Sequence, residues 1–176
     1  MHAIAGAAAR IEQTMRALLL LARETQAGDD EAVDVREAID EALAPFRDQL
    51  DAKNIRIERI IPDNSVLRVY RPALHLALTN LIKNAANYTD SGSIKFSYDD
   101  GTLSVGDTGR GIAAAELPHI FKRHYRGQAD HQAGSGLGLA IVKRIAERFG
   151  WEVSAHSSPS SGSTFALHFP ARNRQS

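Results

Sequence analysis

Residues 72–88 are apolar at helical spacing through Leu74, Leu78, Leu81 and Ile82, yet they carry amides at Asn80 and Asn84. The spacing predicts a core-facing helix, with Pro72 suited to its first turn. Asn80 and Asn84 lie one helical turn apart, so their side chains share a face. Amides buried without partners are costly. An amide oxygen is also a hard ligand of the kind Mg²⁺ prefers beside phosphates. Taken alone, the pair is better read as two surface amides.

Around this helix, strand-period and helix-period segments alternate. Ile55 and Ile57 alternate with Arg56 and Glu58 as a half-buried strand, and residues 66–70 read as a second. Two more, 93–98 and 102–106, flank Asp99, Asp100 and Gly101, a hairpin signal. A helix over 137–149 and strands over 151–156 and 163–169 follow. Asp34 can cap a helix over 35–53, with Glu37 at the capping-box position and Pro45 expected to kink or split it. This order predicts a mixed sheet covered by helices on one face. Residues 2–25 read as a further helix with a heptad seam at Ile4, Ala8, Ile11, Met15, Leu18 and Ala22. The polar break at residues 28–31 divides it from the rest, giving an expected division into 1–28 and 34–172.

The bulk chemistry excludes several classes. Twenty-one basic side chains balance twenty-one acidic ones among 176 residues, so net charge offers no argument for a nucleic-acid partner. No cysteine is present, which removes disulfide scaffolds, thiolate metal sites and a cysteine nucleophile. The apolar run at 17–22 falls far short of the roughly 20 residues that span a bilayer, and the start does not read as a signal peptide. The chain therefore reads as soluble and intracellular in style.

Four segments carry chemistry. Residues 80–89 hold Asn80, Asn84, Asn87 and Tyr88. Residues 107–112 open with Asp107, an acceptor able to read an exocyclic amine, and continue through Gly109 and Gly111 to Ile112. Residues 134–139, with Ser135, Gly136, Leu137, Gly138 and Leu139, open a helix whose amides can face phosphate oxygens. Residues 161–165, including Ser163, turn into the last strand. A strand-ending turn accounts for the second segment as simply as a ligand does. The third does not open a βαβ unit, so it is not a dinucleotide fingerprint.

In this order and at these separations the segments resemble the ATP-binding domain of sensor histidine kinases, in the superfamily shared with gyrase-type ATPases. Residues 80–89 resemble its N-box, 107–112 and 134–139 its two glycine boxes, and 120–127 its phenylalanine box. The resemblance covers about residues 34–170. It implies an α+β fold, a two-layer α/β sandwich of the Bergerat type, with a mixed sheet of about five strands, three helices and an N-terminal helix. It implies ATP and Mg²⁺ as cofactors. Asn84 would hold the metal, with Asn80 beside it as the second catalytic amide. Asp107 would take the adenine amine, and Tyr88 would lie against the nucleotide. Ser135, Gly136, Leu137 and Gly138 would wrap the phosphates. Asn87, Gly109, Gly111, Ile112, Leu139 and Ser163 would complete the pocket, and residues 112–135 would form a mobile lid.

Three positions depart from the pattern: Asn87 replaces a basic residue, Tyr70 an Asp, and His124 an aromatic side chain. Arg123 or Arg126 is the expected replacement for the missing cation. None of the seven histidines stands in a phosphoacceptor sequence, and residues 2–25 resemble the second helix of a dimerisation hairpin. The resemblance thus implies the cytoplasmic catalytic part of a longer, inner-membrane sensor kinase, cut after its phosphoacceptor helix. Its partners would be ATP or ADP, its own dimerisation domain with the phosphoacceptor histidine, and a response regulator receiver domain. The full-length protein would be a homodimer. Gyrase-type hydrolases place a water-activating Glu where this chain has Asn80, and an amide has no useful basicity. That residue argues against a hydrolase. The helix over 2–25 argues against a serine-directed kinase; the complete set of segments argues against a non-catalytic nucleotide-sensing scaffold, an alternative that Asn87 keeps open.

Overall fold

The computed structural model describes Met15, residues 30–122, Tyr125 and residues 136–175. The helix expected over 2–25 lies, apart from Met15, outside the described residues. So do Arg123, His124, Arg126 and residues 127–135.

The order is β1 (Glu31–Asp34), α1 (Val35–Leu43), α2 (Arg47–Ala52), β2 (Ile55–Ile60), β3 (Val66–Val69), α3 (Arg71–Tyr88), β4 (Gly92–Asp99), β5 (Thr102–Asp107), α4 (Gly138–Phe149), β6 (Glu152–Ser157), β7 (Ser163–His168) and β8 (Arg174–Gln175). The Asp34 side chain accepts the Glu37 backbone N–H at 2.9 Å, as the capping pattern predicts. Pro45 splits the expected 35–53 helix: a 3₁₀ turn, Ala44–Phe46, separates α1 from α2. Asp100 and Gly101 turn the β4–β5 hairpin with φ of 39° and 74°, the positive pair a two-residue hairpin needs.

The main sheet runs β2-β4-β5-β7-β6, with β2 and β4 parallel and the other pairs antiparallel. Its inward face, Ile94, Phe96, Leu103, Val105, Phe165 and Leu167, is buried against Ile39, Leu43, Leu74, Leu78, Leu81, Ile82, Val142 and Ile145 of the helices. The mixed five-stranded sheet under three principal helices is the architecture the sequence predicts.

One expectation needs correction. The strand at 66–70 does not join the main sheet. It pairs with β1 and β8, two strands the periodicity missed, in a separate three-stranded sheet. Four residues and two residues are too short to show a period. This small sheet leads into the N-terminus of α3, where Arg71 meets Glu31, Glu41 and Glu37 at 3.1, 3.0 and 3.4 Å. Among the described residues no helix is long and apolar enough to cross a membrane.

Candidate functional site

The site lies where the C-terminal turns of α3, the N-terminus of α4 and the ends of β5 and β7 converge. Asn80 is 2% exposed, and its Nδ2 donates to the Leu76 carbonyl one turn back at 2.8 Å. Its Oδ1 faces Gly138, where a Cβ would approach to 3.1 Å. The amide so joins α3 to the first residue of α4, and glycine there permits the approach. Asn84, Asn87 and Tyr88 follow on the same helix, all half-buried. Leu137, at the α4 N-cap, makes no side-chain capping bond. Backbone N–H groups at such a helix start suit an anionic ligand.

Asp107, the last residue of β5, is 8% exposed. The Gly109 backbone N–H donates to its Oδ1 at 2.9 Å, and the Ser163 backbone N–H also donates to the carboxylate. Burial pushes the Asp107 carboxyl above its ordinary value, and these two hydrogen bonds pull against that rise. The turn after it is packed too tightly for side chains. A Cβ on Gly109 would strike the Tyr88 carbonyl oxygen, and one on Gly111, at φ 71°, would strike that of Ser158. The Arg110 N–H donates to the Tyr88 carbonyl at 3.3 Å, and its guanidinium lies 4.5 Å from the Tyr88 ring centre.

The loop between β6 and β7 forms the back of this turn. Ser160 N–H donates to the Arg110 carbonyl at 2.7 Å. Ser157 Oγ accepts the Ile112 N–H at 2.8 Å, donates to the Gly162 carbonyl at 2.7 Å and lies 3.0 Å from Ser163 Oγ. Sequence reasoning placed Arg110 and Gly162 inside its segments 107–112 and 161–165 without giving them roles, and it missed Ser157; the structure adds the positive φ of Ser160 and Gly162. Phe121 packs edge-on against Phe165 of β7, 6.5 Å between rings, anchoring the chain beyond Ile112 to the core. The structure therefore brings Asn80, Tyr88, Asp107, Gly109, Ile112, Gly138 and Ser163 into one region. Gly136, Leu137 and Leu139 sit half-buried at the start of α4. Arg123, Arg126 and Ser135 lie outside the described residues.

Ser157→Ala is expected to strand the Ile112 N–H and the Gly162 carbonyl, costing about 1–3 kcal/mol of stability. Nucleotide affinity should fall several-fold as the 107–112 turn loosens. Urea melts and ADP titration of the same samples measure both. An unchanged affinity would detach this loop from the site.

Comparison with known proteins identifies the family. Residues 70–173 match the family described as histidine kinase-, DNA gyrase B-, and HSP90-like ATPase. The sensor protein IrlS of Burkholderia pseudomallei is 34% identical over 92% of this chain. The phosphate regulon sensor protein PhoR of Pseudomonas aeruginosa is 36% identical over 92%. The chain spans 37% and 39% of the length of these two relatives. A crystal structure of full-length ShkA in complex with AMPPNP superposes with a TM-score of 0.78 over 94% of this chain and 35% of that one. At 23% identity this likeness shows the shared fold. The chain belongs to the histidine kinase-, DNA gyrase B-, and HSP90-like ATPase family, and over 92% of its length it is similar to the sensor proteins IrlS and PhoR.

Proposed function

We propose that this chain binds Mg-ATP and passes its γ-phosphoryl group to a histidine on a dimerisation hairpin, as the catalytic part of a two-component sensor histidine kinase. The observation that carries the reading is Asp107: a carboxylate buried at the end of β5 and held by two backbone N–H groups, beside Tyr88. A buried acceptor of this kind matches the exocyclic amine of adenine. The Tyr88 ring lies against the base. The uncapped start of α4 takes the phosphates, with Asn84 and Asn87 facing them from α3.

Mg²⁺ suits the donors present, since Asn84 brings a hard, neutral amide oxygen on the helix turn after Asn80. When bound, the ion supplies charge neutralisation to the phosphates. The chain's own share is positioning. The acceptor imidazole nitrogen bonds to the γ-phosphorus as the bond to the β,γ-bridging oxygen breaks, and ADP leaves with that electron pair. Asn80 favours phosphotransfer over hydrolysis, because an amide has no useful basicity and its Nδ2 already donates to the Leu76 carbonyl. In the whole protein the reading extends to a homodimer in the cytoplasm, with a response regulator receiver domain taking the phosphoryl group onward.

The test incubates the chain with labelled ATP, alone and with a separately expressed dimerisation hairpin from a sensor kinase. Acid-labile phosphate is expected on the hairpin and none on the chain. Asn84→Ala should lower the transfer at least a hundredfold while leaving the protein folded by circular dichroism. Stable phosphate on a histidine of this chain, or rapid ADP release without any hairpin, would overturn the reading.

A further inference from the structure

Helix α3 ends without a glycine cap: Thr89, at its C-cap, has an extended backbone, φ −108° and ψ 120°. Its last carbonyls are met from elsewhere. Ala85 accepts the Thr89 N–H, and Tyr88 accepts the Arg110 N–H. The Ala86 carbonyl accepts both Gln49 Nε2 at 3.2 Å and Lys53 Nζ at 2.8 Å. Lys53 Nζ also donates to the Thr89 carbonyl at 2.8 Å and lies 3.6 Å from the Asp90 carboxylate.

Lys53 is itself firmly placed. It is the C-cap of α2, and Asn54 after it takes the left-handed conformation, φ 52°, that turns the chain into β2. β2 pairs in parallel with β4, Ile55 opposite Gly92. Two helix-to-strand junctions therefore run side by side, α2 into β2 and α3 into β4, and Lys53 bridges them. Its ammonium also opposes the partial negative charge at the end of α3.

We infer that Lys53, assisted by Gln49, is a positioning residue of the nucleotide site: it holds the last turn of α3, and so Asn84, Asn87 and Tyr88, in register with the Asp107 turn. The inference rests on the nucleotide reading above. It goes beyond it by assigning control of the site to α2, an element outside those that carry the site residues named above. Without Lys53, the Ala86 and Thr89 carbonyls lose their cationic donor, and the final turn of α3 frays. The Tyr88 carbonyl then drifts from the Arg110 N–H, which couples the fraying directly to the turn that holds Asp107.

The experiment compares ADP affinity by calorimetry for wild type, Lys53→Met, Lys53→Arg, Gln49→Ala and Arg174→Ala, at a temperature where each is fully folded by circular dichroism. Arg174 bonds the Phe169 carbonyl and Asp100 at the opposite end of the β4–β5 hairpin, so its loss destabilises without touching the site. Lys53→Met should raise the ADP dissociation constant five- to tenfold, Lys53→Arg should recover most of that loss, and Arg174→Ala should leave affinity unchanged. If Lys53→Met does not fold, Gln49→Ala carries the test, with a two- to threefold rise expected. Wild-type affinity in the Lys53→Met protein, or in Gln49→Ala where it stands in, overturns the inference, as does an equal loss in Arg174→Ala. Failure of the wild type to bind ADP is a different result, and it refutes the nucleotide reading instead.

Discussion

Asp107→Asn should lose at least tenfold in ADP affinity while remaining folded, and its stability should respond to pH differently from that of the parent protein. The affinity argument is direct. An amide replaces the charged acceptor with one oxygen and a donor that opposes the adenine amine, and a buried hydrogen bond to a charged group contributes about 1.5–3 kcal/mol. The pH argument follows from burial. Asp107 titrates above its ordinary value of 3.8 in the folded state, so the native protein holds this proton more tightly than the unfolded chain does. Stability from this group is therefore present at low pH. It falls as pH rises from about the ordinary carboxylate value through the raised folded one, by at most about 1.4 kcal/mol per pH unit. The substituted protein lacks this term. Urea melts of both proteins between pH 4 and 7 should show the parent losing ground to the variant as pH increases. A stability difference that stays flat with pH would mean the carboxylate is not buried as charged; unchanged ADP affinity would remove it from the site.

Gly162→Ala should be among the most damaging single methyls at the described glycines. Gly162 has φ 81°, and a Cβ there would run into the carbonyl oxygen of Asp107, with that carbonyl's carbon at 2.8 Å and the Thr108 Cα at 2.9 Å. All three obstacles are backbone, so no side-chain rotation relieves them. The left-handed conformation costs a non-glycine residue about 1–3 kcal/mol before any clash is counted. Moving the β7 start away also breaks the Ser163 bond to the Asp107 carboxylate and the Ser157 bond to the Gly162 carbonyl. A total near 3 kcal/mol, and a melting temperature lower by about 10 °C, is expected. Nucleotide binding should vanish in whatever remains folded. Gly106→Ala is the matched control. It lies one residue before Asp107 on β5, but a Cβ there meets the Thr164 hydroxyl, a side-chain atom, at 3.2 Å, with the nearest backbone no closer than 3.8 Å. It should cost under about 1 kcal/mol. Equal losses in the two variants would show that the close approach at Gly162 is not what constrains this turn.

Much of this was legible in the sequence because it depends on near neighbours. Helical spacing marked α3 and α4 to within a residue or two, since each apolar position is judged against those three and four away. Asp100 and Gly101 specified their own hairpin through two backbone angles. Asp34 and Glu37 placed the start of α1, and Pro45 its end. The glycines and Asp107 of the candidate site were also visible, because glycines before a helix and an Asp ending a strand are local signals. What tertiary structure alone decided is how these pieces are held. Whether β3 joined the main sheet depended on β1 and β8, the latter more than a hundred positions away. That Asn80 would be buried, with its Nδ2 on the Leu76 carbonyl and its oxygen facing Gly138 at the start of α4, was set by how the two helices pack. Lys53 carried no signal of its own; the parallel pairing of β2 with β4 set it beside carbonyls 33 and 36 residues downstream. Ser157 gave no signal because its partners, Ile112 and Gly162, are joined to it only by the turn they build together. Propensity and period act over a few residues of chain, while hydrogen-bond partners are chosen by packing across the whole domain.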